Sequence, residues 1–202
     1  MRRIQKINDQ MLLRAMSLGS DWHPVSNVGI SPTEWRVLFY FGILFIGTIL
    51  SLPTILFGLD PLLALKLLFD HFGMLTTLLT IAFVLLIIMP LVHEALHIVF
   101  HPDIGRSHST VIGGNFFALF VIFDGPMSKY RMSMYLLAPL IGILILLFGG
   151  FVLAPQFWPV LLVFLANHMA MCQGDLLLLY KLWRARSSFN EVWNCGTVLM
   201  GR

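Results

Sequence analysis

The stretch MLTTLLTIAFVLLIIMPLVHEALHIVF, Met74 to Phe100, decides how the chain is read. From Met74 to Val92 it carries no charged residue. At a rise of about 1.5 Å per residue, about 20 apolar residues cross the hydrocarbon core of a bilayer. The run then ends on His93-Glu94-Ala95-Leu96-His97. A span that closes on two histidines and a glutamate places costly polar groups where apolar ones are the rule.

Working outward, three further apolar runs are long enough to span: Val37 to Phe57, Met132 to Ala154 and Phe157 to Tyr180. Pro61 to Phe69 is apolar but too short, and is expected to be an interfacial or re-entrant piece. The composition agrees. Hydrophobic residues make up 58% and charged residues 11%, against about 25% charged in a soluble domain. A water-soluble fold of this size could not hide so much apolar side chain. The first run starts too far in, and is too long, for a cleavable signal peptide. The expected fold is therefore an all-α polytopic membrane protein of about four transmembrane helices. A short β-hairpin is expected between spans two and three. Residues 1–35 read as a cytoplasmic or interfacial segment, 36–183 as the membrane-embedded domain and 184–202 as a cytoplasmic tail.

Charge sets the orientation. Twelve of the 13 Lys and Arg residues flank the spans on one side, among them Arg2, Arg3, Arg36, Arg106, Lys129, Arg131, Lys181 and Arg184. Only Lys66 falls on the other. Basic residues beside spans prefer the cytoplasm, so both termini are expected there, in a multi-pass protein of the cell membrane. Residues 3–16 carry Ile4, Ile7, Met11 and Leu12 on one face, as a surface-lying amphipathic helix would. Ser31-Pro32-Thr33-Glu34 combines a capping box with proline at the first helical position. A net charge of +3 gives no reason to expect a nucleic-acid partner.

The HEALH segment carries the chemistry. Residues four apart share a helix face, so both imidazoles can hold one metal. Glu94 beside them can take a proton from water activated there. Zinc suits such nitrogen ligands and lowers the pKa of bound water to about 7. With 7 His and 3 Glu in the chain, the motif arises in roughly one of three hundred shuffled sequences. Pro90, three residues earlier, is expected to bend or break the helix beside His93.

Two histidines leave a catalytic zinc one protein ligand short. The candidates are Asp175, Asp124, Asp103, His101, His108 and His168. His101 is about 12 Å further along the helix than His93. Asp103 and Asp124 read as turn residues, the latter in Asp124-Gly125-Pro126. Asp175 is best placed. It lies near the cytoplasmic end of the fourth run, as His93 and His97 do in the second. Cys172 and Cys195 form no CxxC pair and read as small apolar residues.

On these residues the chain resembles the intramembrane site-2 proteases, and more closely the small membrane-embedded zincin peptidases related to that class. Site-2 proteases pair HExxH with a later NxxPxxxLDG motif whose Asp is the third ligand. Asn167 precedes Asp175 by the same eight positions, but Ala170, Gly174 and Leu176 stand where the motif has Pro, Leu and Gly. The resemblance covers residues 74–183. It implies Zn2+ on His93, His97 and Asp175, with Glu94 as general base and Asn167 as a polar group near the substrate. The implied substrate is a membrane protein or a membrane-proximal peptide, cleaved in or next to the bilayer. The alternative is a non-catalytic regulatory or immunity-type membrane protein that keeps a metal-binding fold. The family pattern also suggests strands in 108–131, where β-branched and aromatic runs flank Gly113-Gly114-Asn115. A strand edge there could hold a substrate in extended form.

Overall fold

The computed structural model describes residues 22–27, 31–34, 36–38, 60–102, 110–115, 118–184, 189–194 and 198–202, with residues 13, 17, 40, 42 and 44. The expected surface helix over 3–16 and the expected span Val37 to Phe57 lie almost wholly outside them. Pro32, Thr33 and Glu34 are helical and Ser31 is not, as the capping box requires. The chain divides into two compact units, one of 32–93 and 140–173, the other of 1–31, 94–139 and 174–202.

The first unit is helical. Helix α1, Pro61–Phe72, starts on Asp60, whose side chain accepts from the Leu62 amide at 2.9 Å, with proline at the first helical position. Gly73 ends it at φ 79, a conformation that favours glycine. Helix α2, Met74–Val99, follows. Thr77 Oγ1 donates to Leu68 O at 3.4 Å and joins the two. Pro90 does not break α2. The helix widens to a π-helical turn over Val84–Ile88, in which the Met89 amide bonds Val84 O. Such a turn absorbs the hydrogen bond that proline cannot make.

Helix α3, Lys129–Leu153, a short 3-10 turn at Pro155–Phe157 and helix α4, Trp158–Met171, complete the unit from Leu140 onward. A Cβ at Gly150 would meet Leu161 of α4 at an ordinary contact distance of 3.4 Å, so α3 and α4 pack side by side there. The large apolar residues of these helices face outward: Leu75, Leu79, Phe83, Leu86, Ile145, Leu146, Phe148 and Val152 are all exposed. Continuous apolar surface of this kind is at home in lipid. Two helices, α2 and α3, are long and apolar enough to cross a membrane. A third candidate is the pair Pro155–Met171 and Gln173–Arg184, bent by 43° where the sequence reads as one run. The chain is thus a membrane protein with two or three candidate spans among the described residues.

The second unit mixes helix and strand. A four-stranded antiparallel sheet runs in the order β1-β6-β5-β4, with β1 His23–Asn27, β4 Met127–Ser128, β5 Glu191–Asn194 and β6 Val198–Gly201. Its register pairs His23 with Gly201, Trp193 with Met200 and Met127 with Val192. The stretch read as a C-terminal tail therefore supplies two of its strands. The expected hairpin is present. Strand β2, Thr110–Asn115, pairs with β3, Ala118–Phe123, from Thr110 opposite Phe123 to Asn115 opposite Ala118. Helix α5, Gln173–Arg184, packs Leu178 and Leu182 into a core with Phe123, Met127, Met132, Tyr135, Leu136, Phe189, Val192 and Leu199.

Candidate metal centre

The α-helical end of α2, Met89–Val99, brings the motif together as its spacing requires. His93 and His97 are buried, at 4% and 3% exposure, and Glu94 is half-buried. Their ligand atoms all lie within 4.8 Å of one another.

The tautomer of His97 follows from its partner. Its Nδ1 lies 2.8 Å from Tyr135 O. A carbonyl oxygen only accepts, so Nδ1 carries the proton and Nε2 is left to bind elsewhere. That carbonyl is available for a local reason. Residue 139, whose amide would bond Tyr135 O in a regular helix, is a proline inside α3. Pro139 is fully buried, and the Tyr135 ring stacks on the His97 ring at 4.4 Å. Imidazole held through its second nitrogen by a backbone carbonyl is the usual support of a metal-binding histidine.

Asp175, in the first turn of α5, completes the contact. Its Oδ2 lies 3.5 Å from His97 Nε2. With Nδ1 protonated, a nitrogen lone pair and a carboxylate meet at this distance only across a shared proton or a shared cation. Two ligands of a tetrahedral zinc at bonds of about 2.0–2.1 Å stand about 3.4 Å apart. The spacing of this pair suits two ligands of one zinc, while the ligand atoms that gather within 4.8 Å of one another are those of His93, Glu94 and His97.

Glu94 is held from the hairpin. Its Oε2 accepts from the Val121 amide at 2.8 Å, and Tyr135 OH donates to Val121 O at 2.6 Å. Both backbone groups of Val121 thus point away from β2. Beyond the motif, His101 Nδ1 lies 3.0 Å from Thr110 Oγ1, and burial, with the nearby Arg131 charge, holds its pKa below the ordinary value. Arg131 donates to Phe100 O at 2.9 Å and His101 O at 3.0 Å, satisfying carbonyls at the end of α2.

Among the other sequence candidates, Asn167 lies on α4 and donates to Met171 Sδ at 3.6 Å. Asp124 sits in the bend after β3, where a side chain at Gly125 would collide with the Phe123 ring at 2.7 Å. Asp103, His108 and Cys195 lie outside the described residues. His168 and Cys172 do gather, with His93, into a second group of buried ligand-type side chains. Cys172 was expected to be a mere apolar residue. The signal for it was present, since His168 and Cys172 repeat the four-residue spacing of the motif.

Apolar candidate spans and a His-Glu-His group with converging ligand atoms define a membrane protein able to hold a metal. The chain belongs to the family described as putative zincin peptidase, whose model it matches over residues 86–189. No curated protein and no solved structure matches the chain.

Proposed function

We propose that the protein is an intramembrane zinc metalloprotease of site-2 type, hydrolysing a peptide bond in or next to the membrane. The contact that carries this reading is His97 Nε2 to Asp175 Oδ2 at 3.5 Å, which favours Asp175 as third ligand beside His93 and His97. Zinc, when bound, supplies Lewis-acid activation of water and of the scissile carbonyl. Glu94 takes the water proton and returns it to the leaving amine, held in place by the Val121 amide. Asn167 is assigned to the substrate side of the site by its spacing from Asp175.

A peptide bond inside a helix is shielded from attack, so the substrate must be drawn out. The β3 edge is occupied at Val121 by Glu94 and Tyr135. The outer edge of β2, where backbone groups of Thr110, Ile112 and Gly114 alternate outward, is the strand on which an extended substrate pairs. Both termini and residues 103–131 are cytoplasmic in this reading, on the distribution of Lys and Arg.

Purified wild type and Glu94→Gln test it together. Both should carry about one zinc per chain, and only wild type should hydrolyse a membrane-peptide substrate. Loss of zinc from Glu94→Gln would make Glu94 a ligand and sink its role as base.

A further inference from the structure

The hydrolytic reading leaves His168 and Cys172 without a task. Both are buried in the helical unit, at 0% and 1% exposure. Cys172 Sγ lies 3.3 Å from His168 Nε2. The His93 ring stands edge-on to that of His168, with centroids 5.6 Å apart. Ligand atoms of His93, His168 and Cys172 all fall within 4.8 Å of one another. Adjacent nitrogen and sulfur ligands of a tetrahedral zinc, at bonds of about 2.0–2.1 and 2.3 Å, stand about 3.6 Å apart. A thiol hydrogen-bonded to imidazole in an apolar interior would account for the 3.3 Å contact. It would not account for a third ligand-type side chain converging on the same point.

We infer that His93, His168 and Cys172 form a thiolate-containing divalent-metal site that shares His93 with the HExxH helix. Cys172 enters it as thiolate, and its proton is released to solvent as the metal binds. A thiolate and two imidazoles select zinc, cobalt or cadmium over magnesium or calcium. Because His93 is common to both donor sets, a metal held here is withdrawn from Glu94 and His97. One chain then holds its metal in either a hydrolytic or a non-hydrolytic setting, one ion at a time.

Cobalt titration of the metal-free full-length protein in detergent tests this. Wild type should develop a near-ultraviolet thiolate-to-cobalt charge-transfer band. Cys172 and Cys195 are the two cysteines of the chain, so the band should survive intact in Cys195→Ser and vanish in Cys172→Ser. His97→Ala and Asp175→Asn should keep it, even though the reading above has them lose zinc at the hydrolytic set. Failure of that reading would therefore show as absent hydrolysis with the band intact. Absence of the band from wild type, or its loss in Cys195→Ser, overturns the inference. Differential alkylation of wild type, read by peptide mass, needs no variant. Cobalt should slow labelling of Cys172 at least tenfold, and an unchanged rate overturns the site.

Discussion

The two units of this chain dispose of apolar residues in opposite ways. In the helical unit Leu79, Leu86 and Phe148 are exposed, whereas in the mixed unit Leu182, Val192 and Leu199 are fully buried. Every strand among the described residues belongs to the mixed unit, and none to the helical one. Lipid offers no hydrogen bonds to backbone, so a small unit inside it is confined to helices, while water tolerates sheet edges. An all-helical unit with exposed apolar side chains meets what a bilayer demands of backbone and surface.

The largest expected effect falls on Asp175. Asp175→Asn should lower zinc affinity more than 100-fold, beyond the 10–100-fold typical of residues that merely support a ligand. Hydrolysis should disappear with membrane insertion intact. The reason is charge, since two neutral imidazoles leave a dication uncompensated in a poorly solvated site and Asn restores nothing. Asp124→Asn, at the bend, should keep its zinc. Metal lost in Asp124→Asn and retained in Asp175→Asn would move the third ligand to the loop.

The packing contrast comes next. Leu182→Ala removes a fully buried side chain and should cost about 2–5 kcal/mol of stability. Leu86, at 75% exposure, packs on little protein, and Leu86→Ala in detergent should stay within about 0.5 kcal/mol. Denaturation of the two variants in the same micelle measures both. Equal losses would mean that the exposed face of α2 is covered by protein, and the packing contrast between the two units would fail.

The apolar runs and the HExxH spacing were legible because each depends on residues near in sequence. Met74–Val99 and Lys129–Leu153 follow the second and third runs closely. The hairpin was legible for the same reason, through Gly113-Gly114-Asn115 between two β-rich runs. The four-stranded sheet was not, because Met127–Ser128 pairs with Glu191–Asn194 across more than 60 residues and each strand is short. Val198–Gly201 is apolar but too brief for an alternating pattern to mark it as a strand. The bend at Cys172 was hidden inside an apolar run whose hydropathy carries no sign of direction. The hold on Glu94 was hidden too, since it comes from a backbone amide and any residue at position 121 other than proline could provide it.

The smallest effect probes how the carbonyl that orients His97 is made available. Pro139 has no amide to give Tyr135 O, and His97 Nδ1 takes its place at 2.8 Å. Pro139→Ala restores the helical N–H, which then competes for the same oxygen. A carbonyl has two lone pairs, so the His97 bond should weaken without being lost. Zinc affinity, read by chelator competition, should fall about 10-fold, the lower end for a supporting partner. Stability of the metal-free protein should move the other way, because a proline inside a helix costs up to about 3 kcal/mol relative to alanine. A proline that only packs would, when truncated, lower stability and leave affinity unchanged. Opposite signs in the two measurements therefore identify Pro139 as a positioning residue, and equal signs or an unmoved affinity would remove that role from it.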